Sequence, residues 1–324
     1  MKRILVTGGA GYIGSHAVVQ LLDKGYEVVV LDNLENGYSE LIDKRAMFYL
    51  ADLRDKSSLR RVFDAEKIDA VMNFAAYIKV GESVEKPNMY YENNTYGVMN
   101  LIDVMVEYDV KNIVFSSTAA VYGEVKGDKM VDEDFPTNPI NPYGMSKLMS
   151  ERIIEDAAKA YGINYSIFRY FNVAGAHEKY DIGQKGEGIT ALVPIILQVA
   201  KGERAELGIF GDDYNTPDGT GVRDYIHVVD LVDAHILALD ALKAGENGLY
   251  NLGNGNGFSV LEMLEAAKRV TEREIPSKVV PGRAGDPACV VAASERANKI
   301  LGWKPRYTNV EDIIRTAWEW EKKQ

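Results

Sequence analysis

Tyr143 and Lys147 stand four residues apart in Tyr143-Gly144-Met145-Ser146-Lys147, a spacing that on a helix puts phenol and ammonium on one face. A free phenol, with a pKa of about 10, is a poor base at neutral pH, and a neighbouring positive charge favours its phenolate. Such a pair can take the proton of a carbinol while hydride leaves the same carbon. Taken alone, Tyr-x-x-x-Lys is frequent by chance and is satisfied by a surface tyrosine lying on a lysine stem. Here residues 112–116 read as a strand, Ser116-Ser117-Thr118 closes it, and Tyr143 follows 25 residues after Thr118. Ser/Thr, Tyr and Lys in that order suit carbinol oxidation. Thr118 can hydrogen-bond the same substrate oxygen as Tyr143; its plainer role is a turn or N-cap hydroxyl.

Hydride needs an acceptor, and the amino-terminal sequence carries a signature for one. Thr7-Gly8-Gly9-Ala10-Gly11-Tyr12-Ile13-Gly14 lies where a first apolar run turns into a helical pattern. Gly9, Gly11 and Gly14 satisfy G-x-G-x-x-G; Gly8, Gly11 and Gly14 satisfy G-x-x-G-x-x-G. Glycines there allow a tight turn, close approach of backbone to a pyrophosphate, and helix-on-strand contact. The helix N-terminus adds N–H groups and a positive dipole end. A lone glycine triplet is weak, but the strand before it, the helix after it and Asp32 at the end of the next strand all agree. Asp32 would accept hydrogen bonds from the adenosine ribose and repel a 2′-phosphate, so NAD is favoured over NADP. Asp52 after the third strand and Phe74-Ala75-Ala76 at the end of the fourth fall on the same carboxyl edge. Lys147 can also hold the nicotinamide ribose, and the oxidised ring would add a positive charge beside Tyr143.

The elements that must position these groups alternate in type. Apolar, β-rich runs over 3–7, 27–31, 48–51, 70–74, 112–116 and 165–169 predict strands, and helical spacing predicts helices over 12–24, 56–66, 89–108 and 143–161. Buried strands separated by helices imply parallel pairing with right-handed crossovers. The expected fold is α/β, a Rossmann-like doubly wound parallel sheet with a smaller C-terminal substrate-binding lobe. Residues 1–172 would form the NAD-binding domain and 173–324 mainly the substrate lobe, with some segments packing back on the first domain. Glycine-rich loops at 183–188, 208–221 and 253–257 mark that second part.

Length, composition and charge narrow the functional class. At roughly 100–200 residues per domain, 324 residues make about two domains or one enlarged α/β domain. A hydrophobic share of 46% and a charged share of 26% exclude disorder and a membrane bundle. The net charge of −11 disfavours nucleic acid, whose phosphates need clustered Lys and Arg, but not a small anion. The single cysteine, Cys289, excludes a disulfide framework within the chain and fits a reducing compartment. Met1-Lys2-Arg3 followed by Ile4-Leu5-Val6 imitates a signal peptide but breaks at Thr7-Gly8-Gly9. The longest later apolar stretch, 189–200, is too short to span a bilayer. These features predict a soluble cytoplasmic protein that binds neither membrane nor nucleic acid.

The sequence resembles the extended short-chain dehydrogenase/reductase family and, within it, the UDP-glucose 4-epimerases. The match runs nearly the full length through TGGAGYIGSH from Thr7, VGES from Val80, SST-AAVYG from Ser116, NPYGMSK from Asn141, RYFNVAGAH from Arg169, DGTGVRDYIHVVDL from Asp218 and YNLGNG from Tyr250. The resemblance implies that Tyr143 is the catalytic base, Lys147 its partner and Thr118 the hydroxyl helper. It implies NAD contacts from Gly8, Gly11, Tyr12, Ile13, Gly14, Asp32, Asn33, Asp52, Leu53, Phe74, Ala75, Ala76, Asn93, Ser116, Tyr143, Lys147, Tyr170 and Phe171. Substrate contacts would come from Thr118, Tyr143, Asn172, Leu192, the uridine-binding strand Gly208-Ile209-Phe210, the diphosphate arginines Arg223 and Arg283, the ribose contact Asp286, and Val290. Two positions depart from the family pattern. Ile78 stands where a lysine is common, with Lys79 next to it. Thr190-Ala191 replaces a polar pair, usually containing an amide, before Leu192-Val193-Pro194.

The reaction implied is inversion at C4 of a UDP-hexose, UDP-galactose to UDP-glucose, through a 4-keto sugar with bound NAD, no metal and no external reductant. Relatives that reject N-acetylated sugars carry a large aromatic in the segment after Asp286. Val290 aligns there, or Cys289 if the register slips by one, and either is small, so UDP-GlcNAc and UDP-GalNAc are expected substrates as well. A 4,6-dehydratase would carry Asp-Glu directly after Thr118, where Ala119-Ala120 stand, and a UDP-glucuronate decarboxylase would want a Glu nearby. A non-catalytic NAD-sensing module would not need the Tyr/Lys pair. The resemblance also implies a homodimer joined through helices over 89–108 and 143–161.

Overall fold

The computed structural model of the protein describes residues 2–125, 130–186, 188–282 and 286–324. The first half alternates β1 (Arg3–Thr7), α1 (Tyr12–Asp23), β2 (Glu27–Asp32), β3 (Met47–Leu50), α2 (Lys56–Ala65), β4 (Ala70–Asn73), α3 (Val80–Glu85), α4 (Pro87–Tyr90), α5 (Gly97–Glu107), β5 (Asn112–Ser116), α6 (Pro142–Tyr161) and β6 (Asn164–Tyr170). The second half adds β7 (Asn172–Ala174), α7 (Leu192–Lys201), β8 (Leu207–Phe210), β9 (Val222–His227), α8 (Val228–Lys243), β10 (Gly248–Leu252), β11 (Gly257–Ser259), α9 (Val260–Thr271), β12 (Ser277–Val280), β13 (Cys289–Val290), α10 (Glu295–Leu301) and α11 (Val310–Glu321).

Seven strands form one parallel sheet in the order β10-β6-β5-β4-β1-β2-β3. Strand alternation divides their side chains between two covering layers. Ile4 and Val6 face α1 and α8, whereas Leu5 faces α2, α5 and α6. All three are fully buried, and each such side chain contributes about 2 kcal/mol of apolar burial. This two-sided burial explains the unbroken apolar runs of the sequence. The strand order reverses between β1 and β4, so a crevice opens at the carboxyl ends of that pair.

The seventh strand comes from far along the chain. β10 pairs with β6 from Gly248 opposite Ser166 to Leu252 opposite Tyr170, and α8 packs under the same sheet. Residues 228–252 thus return to the first sheet after the chain has entered the second lobe. In that lobe β9 is flanked by β7, β11 and β13; β8 pairs with β12; and α7, α9 and α11 share a separate core.

The helix predicted over 89–108 is divided. α4 passes into a π turn at Tyr91–Tyr96 before α5 resumes regular spacing. π turns of this kind recur at functional sites. Here the turn directs Asn94 to the Tyr77 backbone and to Ser146 Oγ on α6, at 3.1 Å. Among the described residues no helix is long and apolar enough to cross a membrane.

Candidate active site

The dinucleotide half of the site is built by the turn from β1 to α1. Gly8 has φ +72°, and a Cβ there would lie 2.6 Å from the Ala75 nitrogen. A Cβ on Gly14 would lie 2.1 Å from the Gly8 carbonyl oxygen. Only glycine lets strand, turn and helix close this tightly at the β1–β4 crevice. α1 has Gly11 at its N-cap, with no side-chain cap and no acidic residue in its first turn, so its N-terminal N–H groups and dipole end remain available to an anion. This uncapped glycine cradle fits a pyrophosphate.

Tyr12 and Ile13 offer the cradle only backbone. The Tyr12 hydroxyl donates to the Gly175 carbonyl at 2.5 Å, and Ile13 packs on the core. Asp32 closes β2 and is buried. Its carboxylate accepts from the N–H groups of Ala10 (3.0 Å) and Leu34 (2.9 Å), while burial pushes its pKa up. Leu34 has φ +58°, and the turn carries Asn33 and Glu35 back toward Arg54. Asn33 donates to Asp52 at 2.9 Å, and Arg54 binds Asp52 through Nε (3.0 Å) and Nη2 (2.6 Å). These bonds offset burial and bring Asp52 down to about 2. Arg54 also donates to Glu35 (3.0 Å) and Tyr77 (3.1 Å), and Tyr77 donates to Glu35 (2.6 Å). Arg54, Glu35 and Tyr77 were not foreseen; together they tie the loops after β2, β3 and β4.

Leu53 is buried against Gly97, and the Phe74 ring is turned inward beside His235. Ala75 is half-buried, and Ala76 follows it on the same carboxyl edge. Asn93 lies in the π turn and donates to Asn94 at 3.1 Å. Ile78 is exposed, and the Lys79 ammonium lies beside Gly188.

The reactive half is the start of α6 against the end of β5. Asn141 accepts from the Gly144 N–H at 2.8 Å and Pro142 occupies the first turn, so the helix starts one residue before Tyr143. The Tyr143 phenol is raised by burial, and a hydrogen bond with the Thr118 hydroxyl opposes this. Thr118 also caps the short 3₁₀ turn Ala119–Tyr122, accepting from the Ala120 N–H at 3.2 Å. Of the two roles read from its sequence position, the N-cap hydroxyl is the one in place. The Lys147 ammonium, 3% exposed, donates to the Ser116 carbonyl at 2.9 Å rather than to the phenol. Burial lowers Lys147 to about 7, opposed by Glu151. Ser116 Oγ is hydrogen-bonded to the Tyr170 hydroxyl, and Phe171 packs in a small cluster with Val121, Tyr122 and Val290.

Most residues expected to bind substrate lie in the second part of the chain, and Val290 links it to this edge by packing against Val121 and Tyr122. Arg223 on β9 donates to Asp286 at 2.7 Å, so these two residues already meet. Val290 lies opposite Arg223 in the β13–β9 register. Asn172 donates to the Asp224 carbonyl at 3.0 Å. On β8 the Ile209 side chain is buried in the lobe core, while Phe210 is exposed, so strand alternation separates them. Leu192 starts α7 and leans on the same core; Ala191 stands at its N-cap with no side-chain hydrogen bond, which is what the missing amide costs locally. Arg283 lies outside the described residues. Two further residues had not been singled out. Asp224 is wholly buried and accepts from the N–H groups of Asn254 (2.7 Å), Gly255 (3.1 Å) and Ala292 (3.1 Å). Its place inside the DGTGVRDYIHV stretch was the available signal. Glu151 lies one turn beyond Lys147, and continuing the four-residue spacing would have reached it.

Comparison with known proteins agrees with this geometry. The family model described as the NAD dependent epimerase/dehydratase family matches residues 4–253. The chain is 53% identical over 320 residues to a UDP-glucose 4-epimerase of Lacticaseibacillus casei, covering 98% of this chain and 96% of that protein. It superposes with a TM-score of 0.98 on a crystal structure of a UDP-glucose 4-epimerase at 55% identity, covering 100% of this chain and 98% of the other. A structure of the UDP-glucose 4-epimerase from Bifidobacterium longum in complex with NAD+ and UDP superposes with a TM-score of 0.93 at 42% identity, covering 100% and 99%. A glycine cradle, a Tyr/Lys helix face and these full-length similarities lead to one conclusion: the chain belongs to the NAD dependent epimerase/dehydratase family.

Proposed function

We propose that the protein interconverts UDP-galactose and UDP-glucose by inverting C4 of the hexose through a 4-keto sugar. The observation that carries this reading is the Tyr143 phenol held against Thr118, on the same sheet edge as the uncapped glycine cradle. The UDP-glucose 4-epimerases to which the chain is similar support the substrate and the cofactor. NAD, when bound, supplies a reversible hydride acceptor for C4. The glycine turn, Asp32 and Asp52 would hold it. Tyr143 takes the proton of the 4-hydroxyl as the C4–H bond breaks, and the O–H electron pair becomes the second C–O bond of the ketone. After the sugar has turned its other face, Tyr143 returns the proton to the same oxygen. Thr118 keeps that oxygen within reach of the phenol. Arg223, Asp286 and the exposed Phe210 would anchor the UDP tail, so binding energy remote from C4 fixes a sugar that must itself rotate. Ala119 and Ala120 occupy the positions where a 4,6-dehydratase would need its acid and base.

The direct test is Tyr143→Phe in a coupled UDP-galactose assay. Loss of turnover by about 10²–10⁴-fold with NAD still bound is expected; near-normal turnover rejects Tyr143 as the base. Val290, like Phe171 and Ala119, packs against the cluster of Val121, Tyr122, Val125 and Val131, and its small side chain supports turnover of UDP-GlcNAc and UDP-GalNAc as well. Pure enzyme inactive on UDP-GlcNAc rejects that extension. Tyr96, Met99 and Met149 are exposed on the π turn, α5 and α6, and this apolar face supports a homodimer. A monomeric mass in solution rejects it. A cytoplasmic location follows from the same reading, since UDP-sugars and a lone thiol suit a reducing compartment.

A further inference from the structure

Residues 143, 147 and 151 share one face of α6, and each meets one of three consecutive residues at the end of β5. The Tyr143 phenol meets the Thr118 hydroxyl, Lys147 donates to the Ser116 carbonyl at 2.9 Å, and Glu151 accepts from the Ser117 hydroxyl. Glu151 is 1% exposed and is gripped from β6 by Arg169, itself 3% exposed, through Nε (3.0 Å) and Nη2 (2.5 Å). The Arg169 guanidinium lies 4.9 Å from the Tyr122 ring, and the Tyr122 hydroxyl donates to Asn251 of β10 at 2.6 Å.

A buried ion pair is an expensive way to seat a helix, because apolar residues of similar volume usually do as well or better. The ammonium one turn earlier supplies a reason to keep the carboxylate. Burial disfavours charge on Lys147, and Glu151 is the anion that opposes it. Among the described residues, the other ionisable groups near this helix face include Arg169 and Tyr170 of β6, Tyr122 beside Arg169, and Tyr90 of α4 with the Glu82 carboxylate 3.1 Å from its hydroxyl. Burial pushes all three phenols up, so they stay neutral and Glu151 remains the carboxylate that supports the lysine.

We propose that Glu151, clamped by Arg169, is a positioning residue that keeps Lys147 charged and α6 in register, and so sets the pH range in which Tyr143 accepts a proton. The proposal rests on Tyr143 being the base. Its test is the pH profile of UDP-galactose turnover for wild type, Glu151→Gln and the double variant Glu151→Gln/Arg169→Met, with melting temperature and bound NAD measured on each. Glu151→Gln removes the charge while keeping an acceptor for Ser117. The acidic limb of kcat is expected to move up by about one unit, lowering neutral-pH turnover about tenfold with little change in KM. The double variant leaves no guanidinium stranded without its carboxylate; it is expected to melt near wild type and still show the displaced limb. A double variant with wild-type melting and a wild-type limb overturns the proposal, as does a folded Glu151→Gln with an unmoved limb. Wild type inactive on UDP-galactose removes the reaction and this proposal with it, whereas active wild type with an unmoved variant limb removes the proposal alone.

Discussion

Acidification from pH 7 to pH 5 is expected to remove several kcal/mol of stability through three histidines. His16 Nδ1 lies 2.7 Å from the Tyr12 carbonyl and must therefore donate, which leaves a buried Nε2 with no partner. His235 repeats this, with Nδ1 2.9 Å from the Leu231 carbonyl and its bare Nε2 among Phe74, Phe168 and Tyr170. His227 accepts the Val229 N–H at Nδ1 (3.1 Å) and so donates from Nε2 to Thr316 (2.9 Å). A second proton on any of them meets either nothing or another N–H. Burial accordingly lowers His16 and His227 to about 3 and His235 to about 4, from 6.5. Below pH 6.5 the unfolded chain binds protons that the folded chain refuses, so the stability present above 6.5 is lost as pH falls. At pH 5 each histidine costs about 2 kcal/mol. Asp224, raised to about 6 by burial, works in the opposite direction: the folded state takes up its proton first and regains about 1 kcal/mol. The loss through these four groups, roughly 4–5 kcal/mol, is a large part of an ordinary domain's stability and should lower the melting temperature by about 6–7 °C. Scanning calorimetry from pH 7 to pH 5 measures it, and His235→Leu should lessen the fall by about 2 kcal/mol. A melting temperature unchanged over that range, or a fall that His235→Leu leaves intact, refutes the reasoning.

Gly14→Ala would drive a methyl into the Gly8 carbonyl, and relieving that 2.1 Å approach must displace the turn by about 1 Å, enough to weaken NAD binding about 100-fold or more; the variant should purify without NAD, and a full complement in its denatured extract contradicts this. Arg54→Met unties Glu35, Asp52 and Tyr77 at once, so NAD should leave about tenfold faster on gel filtration while turnover in excess NAD is retained; unchanged release disproves a role for this hub. Asp224→Asn turns an amide NH₂ toward backbone N–H donors and should cost about 1–3 kcal/mol in urea unfolding; an unchanged midpoint would show that the three bonds are not needed.

Local patterns made much of the fold legible. The apolar run at Arg3–Thr7, the glycines that stop it and the helix from Tyr12 are contiguous, and the strand at Asn112–Ser116 begins and ends where its residues indicate. The features that could not be read depend on pairing across long stretches of chain. β10 carries a short apolar pattern like many others, and only its register with β6, more than 80 residues earlier, makes it the sheet's last strand. The π turn at Tyr91–Tyr96 contains neither proline nor glycine; it is held by Asn94 reaching Tyr77 and Ser146, contacts that exist only once the loop after β4 and α6 are in place.

The site shows the same division in chemical terms. Tyr143, Lys147 and Thr118 could be singled out because the strand end at Ser116-Ser117-Thr118 gave context to a Tyr/Lys spacing that is common by itself. What the sequence left open was where the lysine's charge would go. It goes to the Ser116 carbonyl, and the phenol's partner is Thr118. Both groups are therefore fixed to the end of one strand, and α6 cannot slide along β5 without breaking the two together. The same strand end holds Glu151 through Ser117, so a substitution that loosens the Glu151–Arg169 pair acts on base, lysine and helix register at once. Single substitutions along this face should consequently be non-additive, and the Glu151–Arg169 double variant, rather than either single change, separates charge from packing.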